Sequence, residues 1–208
     1  MPLQTTNDDL EQTRILEYWF GTEELDRGAI EAKQKVWYAG GEAIDNDICD
    51  HFGEIFEEAR NETILHWADS SRGALALVIL LDQFSRNLFR GTAQAFAQDP
   101  LARAVAKRAI RHGLDQELSV PARIFLLHPF HHSEALVDQD FGFIRLKELV
   151  AEGHDEWQDM LQSSIDWFRG HRDIIVRFNR FPHRNAVLNR KSTAEEEKFL
   201  RESSSFGQ

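Results

Sequence analysis

Residues 71–91 read SRGALALVILLDQFSRNLFRG, and the reading of this stretch decides the fold class. Its centre, LALVILL over residues 75–81, is apolar at every position. A run that short fits a buried strand or a buried helix equally well by periodicity. The flanks separate the two. Asp69, Ser70 or Ser71 can cap a helix start, and Gly91 stands where a C-terminal glycine belongs. No turn signal interrupts the stretch, so it is predicted as one helix.

On a helical wheel of about 100° per residue, Asp82, Gln83, Arg86, Asn87 and Arg90 fall within one arc of roughly 140°. Leu77, Leu81, Phe84 and Leu88 lie opposite. One turn earlier the polar arc is continued by Leu75, Ala76 and Ile79. The same face is therefore apolar at one end and hydrogen-bonding at the other. Asp82 and Arg86 are spaced to pair, as are Gln83 and Asn87. Two readings fit. One is a helix whose end reaches solvent with an ion pair on it. The other is a polar network beside a ligand pocket, whose groups need partners from elsewhere in the chain because unpaired burial costs several kcal/mol.

The remaining chain repeats the helical rhythm. A helix over residues 5–20 is expected from the caps Thr6, Asn7 and Asp8 and the apolar set Ile15, Leu16, Trp19 and Phe20. Residues 22–41 read as loop with a short helical turn. Residues 42–61 carry Ile44, Ile48, Phe52, Ile55, Phe56 and Ala59 on one face. Cys49 is placed on that apolar face as a small core residue. Asp99 with Pro100 reads as a cap followed by a proline in the first turn, opening a helix that closes at Gly113. Ser119 opens another, ended by Pro129. A further helix follows His131-His132-Ser133-Glu134 and runs to about Gly153. Residues 155–179 form a long helix broken before Pro182. Ser192 and Glu195 form a capping box for a last short helix. The tail 203–208 reads as loose. The expectation is an all-α protein of about eight helices in one domain over residues 1–208, with its core at about 8–201.

At 208 residues and 42% hydrophobic content, with five tryptophans, the chain has ample material for a core. The net charge of −11 argues against a general nucleic-acid or anionic-membrane surface. The single cysteine excludes an intrachain disulfide and a thiolate zinc site. The polar, acidic N-terminus is no signal peptide, and no apolar run is long enough to span a bilayer, so a cytoplasmic location is expected.

Two other segments carry candidate chemistry. Between Arg169 and Lys191, seven basic residues (Arg169, Arg172, Arg177, Arg180, Arg184, Arg190, Lys191) face one acid, Asp173, a local charge of +6. Such arginines fit internal ion pairs with the acidic remainder, a phosphate or carboxylate site, or a nucleic-acid contact, the last carried only by a weak aromatic-basic pattern. His128, His131, His132 and Glu134 form the second group. A metal centre there needs three or four convergent ligands, with His171 or His183 completing the set. The alternatives are acid-base use of one histidine beside Glu134, one helical turn away, or simple capping and packing. No phosphate loop, nucleophile elbow or serine-triad signature is present.

Three blocks taken together, LVILLDQFSRNLFRG, HPFHHSEALVDQD and HRDIIVRFNRFPHRN followed by LNRKSTAEEEKFL, resemble a bacterial family known only as a domain of unknown function. An early LEYWFG fits as well, and the resemblance covers about residues 10 to 201. Ser85 stands where that family has proline. The resemblance implies an all-helical, tetratricopeptide-like array of antiparallel hairpins and no reaction. It makes a groove for a partner peptide an alternative by analogy of fold alone.

The leading expectation is that the three blocks meet at one pocket for a small anionic ligand, phosphate or carboxylate. Arg86, Arg90, Arg177, Arg180 and Arg184 supply charge; Gln83, Asn87 and Asn185 orient the ligand; Asp82 holds an arginine. His131 or His183, with Glu134, are the acid-base candidates. No cofactor or metal is expected, and nucleic acid is disfavoured.

Overall fold

The computed structural model describes residues 6–21, 28, 32, 33, 37 and 41–202. Of the loop expected over 22–41 only residues 28, 32, 33, 37 and 41 are among those described, and the tail 203–208 lies outside them. The protein is all-α, with eight helical segments and no strand among the described residues.

Helix α1 (Asn7–Phe20) starts on a reciprocal capping box of Thr6 and Asp9 and stops at Gly21, whose φ of 89° suits glycine. Helix α2 (Glu42–Arg60) buries Ile48, Phe52, Phe56 and Ala59. Cys49 is exposed, against the core placement expected for it. It follows Ile48 by about 100° of helical rotation and so leaves the inward stripe.

Helix α3 spans 71–88. It is α-helical over Ser71–Val78, π-helical over Ile79–Phe84 and α-helical again over Ser85–Leu88. Ser70 caps it, its Oγ accepting from the Gly73 N–H at 3.1 Å. Residues Ala74 to Asp82 are all buried, and α3 packs against α1, α2 and the two helices that follow. It is the central rod of the fold. Its C-terminal half meets an aromatic group in which Phe84 lies 5.0 Å from Phe52 and 5.6 Å from Trp19.

Helix α4 (Asp99–Arg111) begins one residue earlier than expected, with Gln98 at the cap position. Helix α5 (Val120–His131) is apolar nearly all round, as a helix enclosed by neighbours must be. Pro129 lies inside it rather than ending it. The loss is a single backbone bond in the last turn, and the His132 N–H still closes that turn on the His128 carbonyl at 3.1 Å. Burial of the whole helix outweighs the missing donor.

Residues 132–135 break the helix. Helix α6 (Leu136–Ala151) then packs back on α5, and α7 (Gln158–Phe178) packs on α6. Gly142 permits the close approach: a Cβ there would lie 2.6 Å from Phe130 Cβ. Helix α7 ends at Asn179 in the left-handed conformation. Helix α8 (Ala194–Glu202) is capped by Thr193 and Glu196, one residue beyond the expected box. Among the described residues no helix is long and apolar enough to cross a membrane.

Candidate functional site

The π-helical turn of α3, the end of α5, the middle of α7 and the turn Pro182–Arg184 converge on one buried polar cluster. Asp82 is fully enclosed. Its carboxylate accepts from His132 Nδ1 at 2.8 and 3.0 Å and from the Gln83 side-chain amide, and lies 3.3 Å from Arg86 Nη1. Arg86 donates to the Asp82 carbonyl at 2.6 Å and to both oxygens of Asp99 at 3.1 and 3.3 Å. Arg184, 4% exposed, donates to the His132 carbonyl at 3.0 Å and stands 3.5 Å from Asp99. Its guanidinium lies between the rings of Phe96 and Phe181, 4.3 and 4.5 Å from their centres. Ser85 donates its hydroxyl to the Ala95 carbonyl at 3.2 Å and so ties down the turn that carries Phe96. Two carboxylates and two guanidiniums therefore balance inside the fold.

Four imidazoles complete the cluster. His131 stacks on Phe168 at 4.3 Å and lies 4.1 Å from His132 and 4.6 Å from His171, ring centre to ring centre. Burial holds all four neutral: His128 falls to about 4, His171 to about 3, and His131 and His132 well below the ordinary value, with the charge of Arg86 adding to the effect in each. Burial also lowers Arg184, to about 10, with repulsion from Arg86 second. It raises Asp99 against the pull of Arg86. Burial would lower Arg86 too, but Asp82 and Asp99 reverse that and raise it.

The hydrogen bonds fix the proton positions on the rings. His132 gives its Nδ1 proton to Asp82, which leaves the lone pair on Nε2. The Gln83 amide donates to His128 Nδ1 at 3.2 Å, so His128 carries its proton on Nε2. His171 Nδ1 lies 3.1 Å from the His131 carbonyl, which can only accept, so this nitrogen is the donor. The same proton faces His131 Nδ1 at 2.8 Å. His131 therefore accepts on Nδ1 and carries its proton on Nε2. That Nε2, like Arg86 Nε, is enclosed and has no hydrogen-bond partner among the described residues.

The other residues singled out from the sequence lie elsewhere or turn away. Asn87 and Arg90 both bind Asp45 of α2, at 2.8 Å and at 2.7 and 2.9 Å. Arg177 pairs with Glu195 at 2.8 Å, and Arg180 with Glu196 at 2.6 and 2.8 Å. Glu134 is not one helical turn from His131, because the chain has left the helix. It takes a bidentate pair from Arg190 at 2.6 and 2.9 Å and the Phe181 N–H at 2.8 Å. Asn185 bonds Ser192 and Arg190, each at 3.0 Å. His183 sits 5.3 Å from Phe181. Most of the basic segment is thus engaged in internal ion pairs. No group of three or more ligands able to hold a metal occurs among the described residues.

Sequence reasoning passed over three members. Asp99 looked like a cap, and its carboxylate is instead spent on Arg86. His132 was grouped with its neighbours without a role of its own. His171 was considered only as a metal ligand. The i, i+3 and i, i+4 spacing of His128, His131 and His132 was the one signal that could have separated inward from outward rings.

A solved structure, a protein of unknown function, ATU0120, from Agrobacterium tumefaciens, is similar to this chain at 34% identity, covering 95% of this chain and 100% of that one with a TM-score of 0.80. No curated protein matches. The family described as bacterial protein of unknown function (DUF924) matches residues 15–204, and the chain belongs to it.

Proposed function

We propose that the buried cluster binds a small ligand through an oxyanion, a carboxylate or a phosphate. His131 carries the reading. Its Nε2–H is a donor enclosed in the fold with no acceptor among the described residues, and Arg86 Nε–H is a second. A buried donor left unmade costs about 1–3 kcal/mol, and an oxyanion supplies the acceptors both lack. The setting agrees. Several ionisable groups held away from their ordinary protonation behaviour are more frequent at working sites than in plain cores. A π-helical turn at the centre of the group points the same way. Arg86 and Arg184 supply the positive charge and Gln83 orients the neighbouring carboxylate. Arg90, Arg177 and Arg180, each engaged with a carboxylate, act as struts around the site.

The test is thermal unfolding with inorganic phosphate or succinate against chloride at matched ionic strength. At least one anion raises the wild-type midpoint by several degrees. His131→Phe, which keeps the stacking on Phe168, removes the rise. No rise with either anion, or an equal rise in His131→Phe, ends the proposal.

A further inference from the structure

We infer that His132 is the general base of this site, acting on a water beside the bound oxyanion, and that Asp82 is its positioning residue. This rests on the oxyanion-binding reading above and adds a reaction to it: hydrolysis of an ester whose substrate carries a phosphate or carboxylate.

The four imidazoles are not equivalent. His128 and His131 each spend a lone pair, on the Gln83 amide and on His171. His171 is a donor at Nδ1 to the His131 carbonyl. His132 alone has its proton committed to a carboxylate, and among the described residues no donor reaches its Nε2. The arrangement selects the tautomer that frees the distal nitrogen to accept a proton, the logic by which a carboxylate serves a catalytic histidine. Asp82 cannot swing away. It is wholly buried and is held from three sides by His132, Gln83 and Arg86. The His132 ring is fixed in turn by His131 at 4.1 Å. The Arg184 guanidinium sits on the His132 carbonyl, so one positive charge is built against the same residue.

The step balances with water as the co-reactant. A water O–H bond breaks and its proton goes to His132 Nε2. The oxygen's electron pair forms a bond to the phosphorus or acyl carbon of the ester. The bond to the leaving oxygen then breaks, and that oxygen takes the proton back from Nε2. Asp82 keeps its hydrogen bond from Nδ1 throughout and holds the ring in place while the imidazolium exists.

The groups facing His132 are Asp82 and Arg86 from α3, His128 and His131 from α5, His171 from α7 and Arg184 from the turn after it, with Asp99 of α4 one contact further out on Arg86 and Arg184. Burial first and Arg86 second keep the ring unprotonated well below neutrality. A base of this kind works without loss of rate from pH 8 down to pH 6.

Two measurements test the inference. Long-range nitrogen–proton NMR at pH 7 should find His132 protonated on Nδ1, and Asp82→Asn should move the proton to Nε2. Hydrolysis of p-nitrophenyl phosphate and of p-nitrophenyl succinate should be catalysed for at least one ester. His132→Gln should lower that rate about 100-fold or more while keeping the stabilisation by phosphate or succinate. A wild-type His132 protonated on Nε2 overturns the inference. So does stabilisation by an anion when neither ester is hydrolysed faster by wild type than by His132→Gln, and in that case the binding reading survives. If neither anion stabilises the protein, the binding reading fails and takes this one with it. The tautomer is read on the wild-type chain, so the inference stays exposed even if Asp82→Asn does not fold.

Discussion

Two polar regions of this molecule are built from the same residue types and end in opposite states. Around α8, Arg177, Arg180 and Arg190 meet Glu195, Glu196 and Glu134, and each guanidinium has a carboxylate of its own. In the cluster under α3, Arg86 and Arg184 share Asp99, His131 and Arg86 keep enclosed donors without acceptors among the described residues, and four rings stay neutral by burial. The first region has the economy of a clamp, with each charge paired one to one and every guanidinium still partly exposed. The second holds charges in a low-dielectric interior, where an apolar core of equal volume would often be as stable. The difference teaches that an abundance of arginine says little; whether the chain itself completes the hydrogen bonds says much more.

The largest effect that sharpens this contrast comes from Asp99. Asp99→Ala leaves two buried guanidiniums facing a single remaining carboxylate and should cost about 3–5 kcal/mol, read by urea unfolding. A cost near that of a surface pair would put the two regions on equal footing and break the comparison.

Acid is the next lever. The folded pKa values of His128 and His171 are depressed from 6.5, to about 4 and about 3. A group lowered on folding contributes its stability above its unfolded value, and that contribution is lost as pH falls toward the folded one. Unfolding free energy should therefore decline between pH 6.5 and about 4, by several kcal/mol for the two rings together, on the order of the shifts themselves. His171→Phe should flatten the slope. A stability constant across that window would contradict the buried, neutral state of the rings.

The smallest effect belongs to the clamp. Arg177 and Glu195 are 49% and 61% exposed, so Arg177→Ala should change stability by no more than about 0.5 kcal/mol and leave any response to phosphate unchanged. A loss of that response would tie the two regions together functionally.

Most of the fold was legible because helices announce themselves locally. Thr6 before the first helix and Ser70 before the apolar run cap within a few residues, whereas the central helix ends at Leu88 with Phe89 at its C-cap, short of the Gly91 stop expected for it. The misplacements were also local. Ser192 and Thr193 are adjacent caps that only geometry separates, and Pro129 was tolerated because its helix is enclosed on all sides. The site was legible only by halves. Its three blocks could be recognised as unusually polar, but partner choice is a tertiary fact. Nothing in the neighbourhood of Asp99 distinguishes a carboxylate that caps its own helix from one turned toward Arg86. Nothing near Arg90 tells that Asp45 takes it away from the cluster.

The π-helical turn has a genetic consequence. The Ser85 N–H reaches back to the Leu80 carbonyl, five residues away rather than four, so α3 holds one residue more than an uninterrupted α-helix would over the same length. Deleting one codon between residues 79 and 81 would give a rod with regular bonding and an intact apolar seam ahead of the deletion. The half after the turn would keep its direction relative to the half before, because the wide turn absorbs the extra residue locally, and only the residues of the turn itself, Asp82 among them, would shift. Such a shortened protein would fold around α1 and α2 and yet have lost the placement of Asp82 against His132, a loss confined to one turn of one helix.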